Sequence, residues 1–211
     1  MIVHLLKYQV VAGRDAEVDG FVRHSALATP PTPGIVARCV GRRLGPVGHE
    51  HVAATAWTDL DVFRSGTSSG GVPDYLAPVA DRMRVVRSAR YRVVVAEGPG
   101  CEDARILRIY HATVATEMLA TWERRATEPI DRLAAKPGLL MALAGVGVLD
   151  ADPPGETSIV AITAWLDWGS VISATGGHID RLLLETELAD LERPSDVEHY
   201  QLLESEPSPA R

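Results

Sequence analysis

The sequence predicts an α+β chain of two tandem β-α-β-β-α-β repeats, whose antiparallel sheets face each other in one barrel-like body. Three observations carry this. Thr-Ala-Trp-x-Asp is written twice, at residues 55–59 and 163–167. A Pro-Gly pair, Pro33-Gly34 and Pro137-Gly138, precedes an apolar run that reaches a glycine, Gly41 and Gly145. Each copy closes on a tyrosine-led strand, from Tyr91 and from Tyr200. Matches kept in one order along the chain mark an internal duplication.

The elements follow in order. First strands are expected over 2–11 and 106–112, both short and apolar or alternating. Leu5-Leu-Lys-Tyr8 aligns with Leu107-Arg-Ile-Tyr110, which sets Leu6 opposite Arg108 between the copies. A helix comes next, and its apolar stripe is clearest in the second copy, at Met118, Leu119, Trp122, Ala126, Ile130 and Leu133. The Pro-Gly pairs stop these helices. Second strands lie in IVARCV and LLMALAGVGV, third strands in HVAATAW and SIVAITAW, and short helices near 75–86 and 181–191. Repeat 1 spans 1–97, a linker 98–103, repeat 2 spans 104–204, and 205–211 read as a flexible tail. A four-stranded sheet with two helices covers one face only; the second copy is the apolar partner for the other, with a cavity between.

Composition bounds the function. The chain has 211 residues, 46% of them hydrophobic, enough for a sizeable core. The net charge of −7 lacks the basic surplus of a nucleic-acid-binding protein. Two cysteines, Cys39 and Cys101, exclude a disulfide framework. No apolar run is long enough to span a membrane, and MIVHLLKYQV carries His4 and Lys7 with no cleavage pattern, so the expected compartment is the cytoplasm.

The Pro-Gly pairs and the third-strand Trp57-x-Asp59 and Trp165-x-Asp167 resemble the dimeric α+β barrel superfamily, in particular the antibiotic-biosynthesis-monooxygenase-like (ABM-like) domains. The resemblance covers nearly the whole chain, twice. It implies two ferredoxin-like repeats that form within one chain the barrel two subunits otherwise make. It also implies a small-molecule enzyme of secondary metabolism, a monooxygenase acting on a phenolic or polycyclic aromatic substrate without a tightly bound cofactor. Monomer and homodimer both suit such a chain, and neither nucleic acid nor membrane is an expected partner.

Departures from the family pattern are equally specific. The quinone-forming oxygenases place an Asn four residues before the Trp; here Ala53 and Ala161 stand there. The haem-degrading branch uses an Asn on strand one, and a Trp and a His beyond the motif. Here those positions hold Leu6 and Arg108, Gly66 and Ala174, and Leu76 and Leu184, and the chain contains no Asn at all. Haem through His178, or a diffusible reduced flavin, stands as the alternative cofactor. Cyclisation, isomerisation or lyase chemistry in the same barrel, and ligand binding without turnover, stand as alternative functions.

Several side chains are placed to act. Period-2 alternation puts His4, Leu6, Tyr8 and Val10 on one face of the first strand, and Ile106, Arg108, Tyr110 and Ala112 on its counterpart. Taken as the cavity face, it makes Arg108 the group to hold a developing phenolate and Tyr8 and Tyr110 hydrogen-bond donors or acids, with His4 in the lining. Packing with a satisfied hydroxyl suits both tyrosines equally. Trp57, Trp165 and the unduplicated Trp168 would stack on a planar ligand, the two motif tryptophans serving equally as core wedges. His178 follows a Gly-Gly where copy one has Gly70, and is the expected proton-transfer group. His49-Glu50-His51 has two imidazoles but no evident third ligand, so it reads as a solvated turn, and no metal is expected.

Overall fold

The computed structural model describes residues 1–28, 30–44, 50–68, 70–98, 100–148, 154–179, 188 and 190–204. The chain forms two compact units, Met1–Ala89 with Tyr200–Arg211, and Arg90–His199.

In the first unit β1 (Ile2–Val10) leads into α1 (Asp15–Phe21), which continues as a π-helical turn over Val22–Ala26. Then β2 (Ile35–Arg43) and β3 (Glu50–Trp57) form, both antiparallel, with β3 between β1 and β2. After α2 (Leu60–Ser65) and a 3-10 segment over Asp74–Arg82, the long β4 (Met83–Glu97) begins. The second unit repeats the plan with β5 (Ile106–Ala115), α3 (Leu119–Arg125), α4 (Thr127–Ala134), β6 (Leu139–Gly147), β7 (Glu156–Trp165), α5 (Trp168–Thr175) and β8 (Glu192–Leu202). Here β7 is central, between β5 and β6. Most of the short helix expected over 181–191, and the tail over 205–211, fall outside the described residues.

The units do not follow the repeat boundaries read from sequence. The division falls inside β4, between Ala89 and Arg90. Tyr91 and the residues after it pair with β6 of the second repeat, and 200–202 of β8 pair with β2 of the first. Each tyrosine-led strand therefore serves the other copy. The duplicated glycines admit this: a Cβ on Gly41 would lie 2.9 Å from the Tyr200 Cβ, and one on Gly145 would lie 3.1 Å from the Tyr91 Cβ.

The twice-written motif is a packing device. Asp59 caps α2, accepting from the Asp61 and Val62 backbone N–H groups, and Asp167 caps α5 from Ser170. Pro-Gly packs against the capped helix. Gly34 has φ +93° and its absent Cβ would meet Val62 Cγ1 at 2.2 Å; Gly138 has φ +77° and would meet Ser170 Oγ at 2.0 Å. The N–H after each tryptophan donates to that glycine's carbonyl, Thr58 to Gly34 and Leu166 to Gly138. Only glycine satisfies both the left-handed backbone and the close approach.

Cross-strand register corrects the alignment of the copies. Ile2 pairs with Trp57, and Ile106 with Trp165. Relative to the motif, the first strands are therefore offset by two residues from the match of Tyr8 with Tyr110. The counterpart of Arg108 is His4, that of Tyr110 is Leu6, and that of Tyr8 is Ala112. A two-residue slip preserves which face each side chain takes, so alternation alone does not detect it.

Candidate functional site

The face bearing His4, Leu6, Tyr8 and Val10 lies against the helices of its own unit. Leu6, Tyr8 and Val10 share a buried cluster with Val18, Val22 and Ala26 of α1 and its π turn, and with Leu76 and Val79. In the second unit Ile106, Tyr110 and Ala112 cluster with Trp122, Ala126, Ile130 and Leu133 of α3 and α4. The stripe read from sequence thus packs as expected, except Met118, which is exposed. Calling this face the lining of a cavity between two sheets is corrected: it is the sheet–helix interface of each unit. The sequence hid this because β1 and β5 are buried on both faces, leaving no polar face to orient them.

Register arranges this interface in cross-strand rows. In the first unit the rows are His4–Thr55–Arg38, Leu6–Ala53–Val40 and Tyr8–His51–Arg42. In the second they are Arg108–Thr163–Ala142, Tyr110–Ala161–Ala144 and Ala112–Ile159–Val146. Ala53 and Ala161, where the family pattern has Asn, sit in the middle rows. Apart from Thr55 and Thr163, the polar groups differ between the two units.

In the second unit Arg108 is 3% exposed, and its Nε donates to the Ile179 carbonyl at 3.3 Å. Tyr110 donates its hydroxyl to Glu192 Oε2 at 2.9 Å, and Trp122 Nε1 donates to Glu192 Oε1 at 2.7 Å. Burial pushes the Glu192 carboxyl above its ordinary value, against the pull of these two hydrogen bonds. The Tyr110 phenol is pushed up by burial and then by Glu192, while the Arg108 charge pulls it down. Trp165 Nε1 donates to Thr163 Oγ1 at 2.8 Å, deep in the core. Trp168 opens α5, half-buried, with its ring 5.4 Å from that of His199. His178 is exposed just beyond Gly176 and Gly177, one residue from the carbonyl that Arg108 uses. Arg108, Tyr110, Trp165, Trp168 and His178 therefore belong to one unit, and Tyr8, His4 and Trp57 to the other.

In the first unit His4 Nε2 lies 2.9 Å from Ser88 Oγ, and the His4 ring meets Phe63 edge-on at 5.0 Å. Trp57 also packs on Phe63, at 5.8 Å. Thr55 Oγ1 is 2.8 Å from the Tyr75 hydroxyl, and Arg38 lies over the Tyr75 ring at 5.2 Å. Tyr8 stacks on His51 at 5.3 Å and 13°. His51 Nε2 is 3.1 Å from Asp19 Oδ1, while Arg42 bonds Asp19 Oδ2. Burial works to raise the Asp19 carboxyl, but the hydrogen bond and charge of His51, with Arg42 and Arg23, hold it below its ordinary value.

His51 and Asp19 are the functional candidates that sequence reasoning missed. His51 is not in a solvated turn: it is fully buried in β3, directly opposite Tyr8. Its neighbour His49 lies outside the described residues. A signal was present, since His51 starts the run His51-Val-Ala-Ala-Thr-Ala-Trp57 on the same alternating face as Thr55 and Trp57. Among the described residues, no group of three or more His, Cys, Asp or Glu side chains is set to hold a metal ion. Nor is any described helix long and apolar enough to cross a membrane.

Comparison with solved structures places this architecture. A provisionally named monooxygenase from Lactobacillus acidophilus NCFM superposes with a TM-score of 0.69 at 11% identity, covering 95% of this chain and 93% of its own. An anthrone oxidase-like protein gives 0.61 at 10%, covering 99% and 97%. A ferredoxin-fold protein related to antibiotic biosynthesis monooxygenases, from Listeria monocytogenes 4b F2365, gives 0.50 at 8%, covering 94% of each. No protein-family model and no curated protein matches the sequence. The likeness to these structures shows a shared α+β fold, built here as two tandem ferredoxin-like repeats.

Proposed function

We propose that this protein is a small-molecule oxygenase of secondary metabolism, acting on a phenolic or polycyclic aromatic compound without a tightly bound cofactor. The observation that carries this is Arg108: a guanidinium 3% exposed in the sheet–helix interface, whose positive charge opposes the burial and the Glu192 carboxylate that push the neighbouring Tyr110 phenol upward. The same field acts on a phenol bound at that interface, and in a low-dielectric setting it acts strongly. A phenolate is the electron-rich form that reacts with dioxygen. For a ring methylene activated by hydroxyl groups the balance is CH2 + O2 → C=O + H2O. The carbon loses two hydrogens, one oxygen atom stays as the carbonyl, and the other leaves as water. Tyr110 is the donor in this reading, Trp165 and Trp168 line the ligand, and His178 exchanges protons with solvent, all within the unit that holds Arg108. The names of the similar structures support it, since they include a provisionally named monooxygenase and an anthrone oxidase-like protein. The exposure of His178 speaks against that residue as a haem ligand.

The test is oxygen uptake by the purified chain with anthrones and naphthols. One O2 should be consumed per carbonyl formed. Arg108→Ala should lower kcat/KM roughly 100-fold, the scale for losing one group that stabilises developing charge. Absence of uptake with every such compound, together with unchanged ligand binding in Arg108→Ala, overturns the proposal. Turnover under anaerobic conditions would instead mark a rearrangement or lyase.

A further inference from the structure

The second unit carries a polar trio that the fold does not require. Glu192 opens β8 and is 6% exposed. Its two oxygens are divided between two elements: Oε2 takes the Tyr110 hydroxyl of β5 at 2.9 Å, and Oε1 the Trp122 indole of α3 at 2.7 Å. In the first unit the matching positions are apolar. Leu6 is the counterpart of Tyr110 by register. Phe21-Val-Arg23 stands against Trp122-Glu-Arg124, and Met83 against Glu192, each eight residues before its closing tyrosine. Leu6 lies in one hydrophobic cluster, and Phe21 and Met83 pack against it. A carboxyl group is thus brought, at a desolvation cost, into an interface that the other copy builds from apolar side chains.

The three groups differ in what they can exchange. An indole N–H donates and never accepts, so Oε1 stays an acceptor whatever the charge on Glu192. A phenol does both. With Glu192 ionised, Tyr110 gives its hydrogen to Oε2 and its oxygen presents lone pairs. With Glu192 protonated, the proton sits on Oε2, because Oε1 is held by the indole, and Oε2 donates to the Tyr110 oxygen. The Tyr110 hydrogen is then released to another acceptor. This reversal needs no heavy atom to move. Burial favours the protonated form, against the pull of the two hydrogen bonds. Among the described charged groups nearby, Arg108 of β5 acts on Tyr110. Arg125 of α3 and Arg193 of β8 are exposed and bond Asp190 and Glu156.

We propose that Glu192 is a positioning residue which sets, by holding or releasing one proton, whether Tyr110 donates or accepts a hydrogen bond. Its use in turnover rests on the oxygenase reading; the reversal itself does not. In turnover the hydroxyl hydrogen of the phenol passes to the Tyr110 oxygen as the Tyr110 hydrogen passes to Glu192 Oε2. One O–H bond breaks on the phenol and one forms on Glu192, while Tyr110 stays neutral. The negative charge moves from Glu192 to the phenolate, in the field of Arg108, and Tyr110 then donates to that phenolate.

The first test uses no ligand: NMR of the full chain carrying isotope-labelled tyrosine and tryptophan, with Tyr110→Phe and Trp122→Phe to assign the signals. The Tyr110 Cζ and the Trp122 indole N–H should titrate together, with one midpoint above the ordinary glutamate value. Glu192→Gln offers an amide that donates where the protonated carboxyl would, so it should hold the Tyr110 signal near its low-pH position at every pH. The proposal is overturned if the Tyr110 signal does not titrate in the wild type, or still titrates in Glu192→Gln. The second test is oxygen uptake with an anthrone. There kcat/KM should fall as pH falls through the NMR midpoint, and Glu192→Gln should lower it about 100-fold and abolish that limb. A limb retained in Glu192→Gln also overturns the proposal. No uptake with the NMR reversal present sinks the oxygenase reading alone, and uptake without the reversal sinks this proposal alone.

Discussion

Gly34 offers the sharpest test of why the Pro-Gly and Trp-x-Asp motifs travel together. Replacing it with alanine introduces two separable penalties. The backbone stands at φ +93°, where an L side chain is strained by about 1–2 kcal/mol. The new Cβ would also lie 2.2 Å from Val62 Cγ1 on α2, and relieving such overpacking costs about 1–3 kcal/mol. Gly34→Ala should therefore lose about 2–5 kcal/mol. Val62→Ala removes the offending methyl and leaves only the Val62 Cβ, at 3.4 Å, an ordinary contact. In the double variant the steric part should vanish, giving a coupling of about 1–3 kcal/mol between the two sites. Gly176→Ala is the control for the backbone part, having φ +62° and nothing within 4 Å of its new Cβ. Urea unfolding followed by tryptophan fluorescence measures the wild type and all four variants, with m-values checked for constancy. Strictly additive losses for Gly34→Ala and Val62→Ala would refute the claim that the motif glycine exists to seat the capped helix.

Two further outcomes follow from ionisation. Burial holds the Glu192 carboxyl above its ordinary value, so its contribution to stability is complete below that ordinary value and is lost as pH rises through the raised one. Unfolding free energy measured against pH should show that decline in the wild type and lack it in Glu192→Gln; identical profiles would contradict the assignment. The Asp59 carboxyl is held low by the Val62 N–H, with help from Thr58 and Asp61, and the Asp167 carboxyl by the Ser170 backbone and side chain. Their stabilising effect is present above the ordinary aspartate value and is lost as pH falls through the lowered one. Asp59→Asn and Asp167→Asn should each shift the acid-unfolding midpoint, and an unmoved midpoint would show that the caps are not charge-dependent.

The duplication was legible because its markers do physical work wherever they occur. Trp57 and Trp165 fill the core, Asp59 and Asp167 cap, and the paired glycines admit the helix and the closing strand. The same logic explains what was not legible. A strand buried on both faces carries no hydrophobic signal about which face meets the helices, so alternation groups Tyr8 and Arg108 with their strand neighbours without showing what that face packs against. A two-residue slip is invisible to a period of two, so Leu6 rather than His4 was set against Arg108. β4 and β8 crossing into the other repeat is a long-range pairing, which local pattern does not encode. A histidine beside a turn reads as solvated, and only the register with Tyr8 and the reach of Asp19 from α1 show His51 to be buried.

These corrections move the functional argument from shared letters to unshared ones. Once the register is set by the tryptophans, the copies use one backbone for opposite purposes. Copy one has His4–Thr55–Arg38 and Tyr8–His51–Arg42, where copy two has Arg108–Thr163–Ala142 and Ala112–Ile159–Val146. Thr55 and Thr163 are the only polar residues common to these rows, and even they differ in use. Thr163 satisfies the indole of Trp165, whereas Thr55 is engaged by Tyr75, leaving Trp57 Nε1 buried with no hydrogen-bond partner among the described residues. A duplicated fold needs only one copy of each stabilising contact to be kept in common. The side chains that break the symmetry, Arg108 in one unit and the Tyr8–His51–Asp19 cluster in the other, are not explained by what the fold requires.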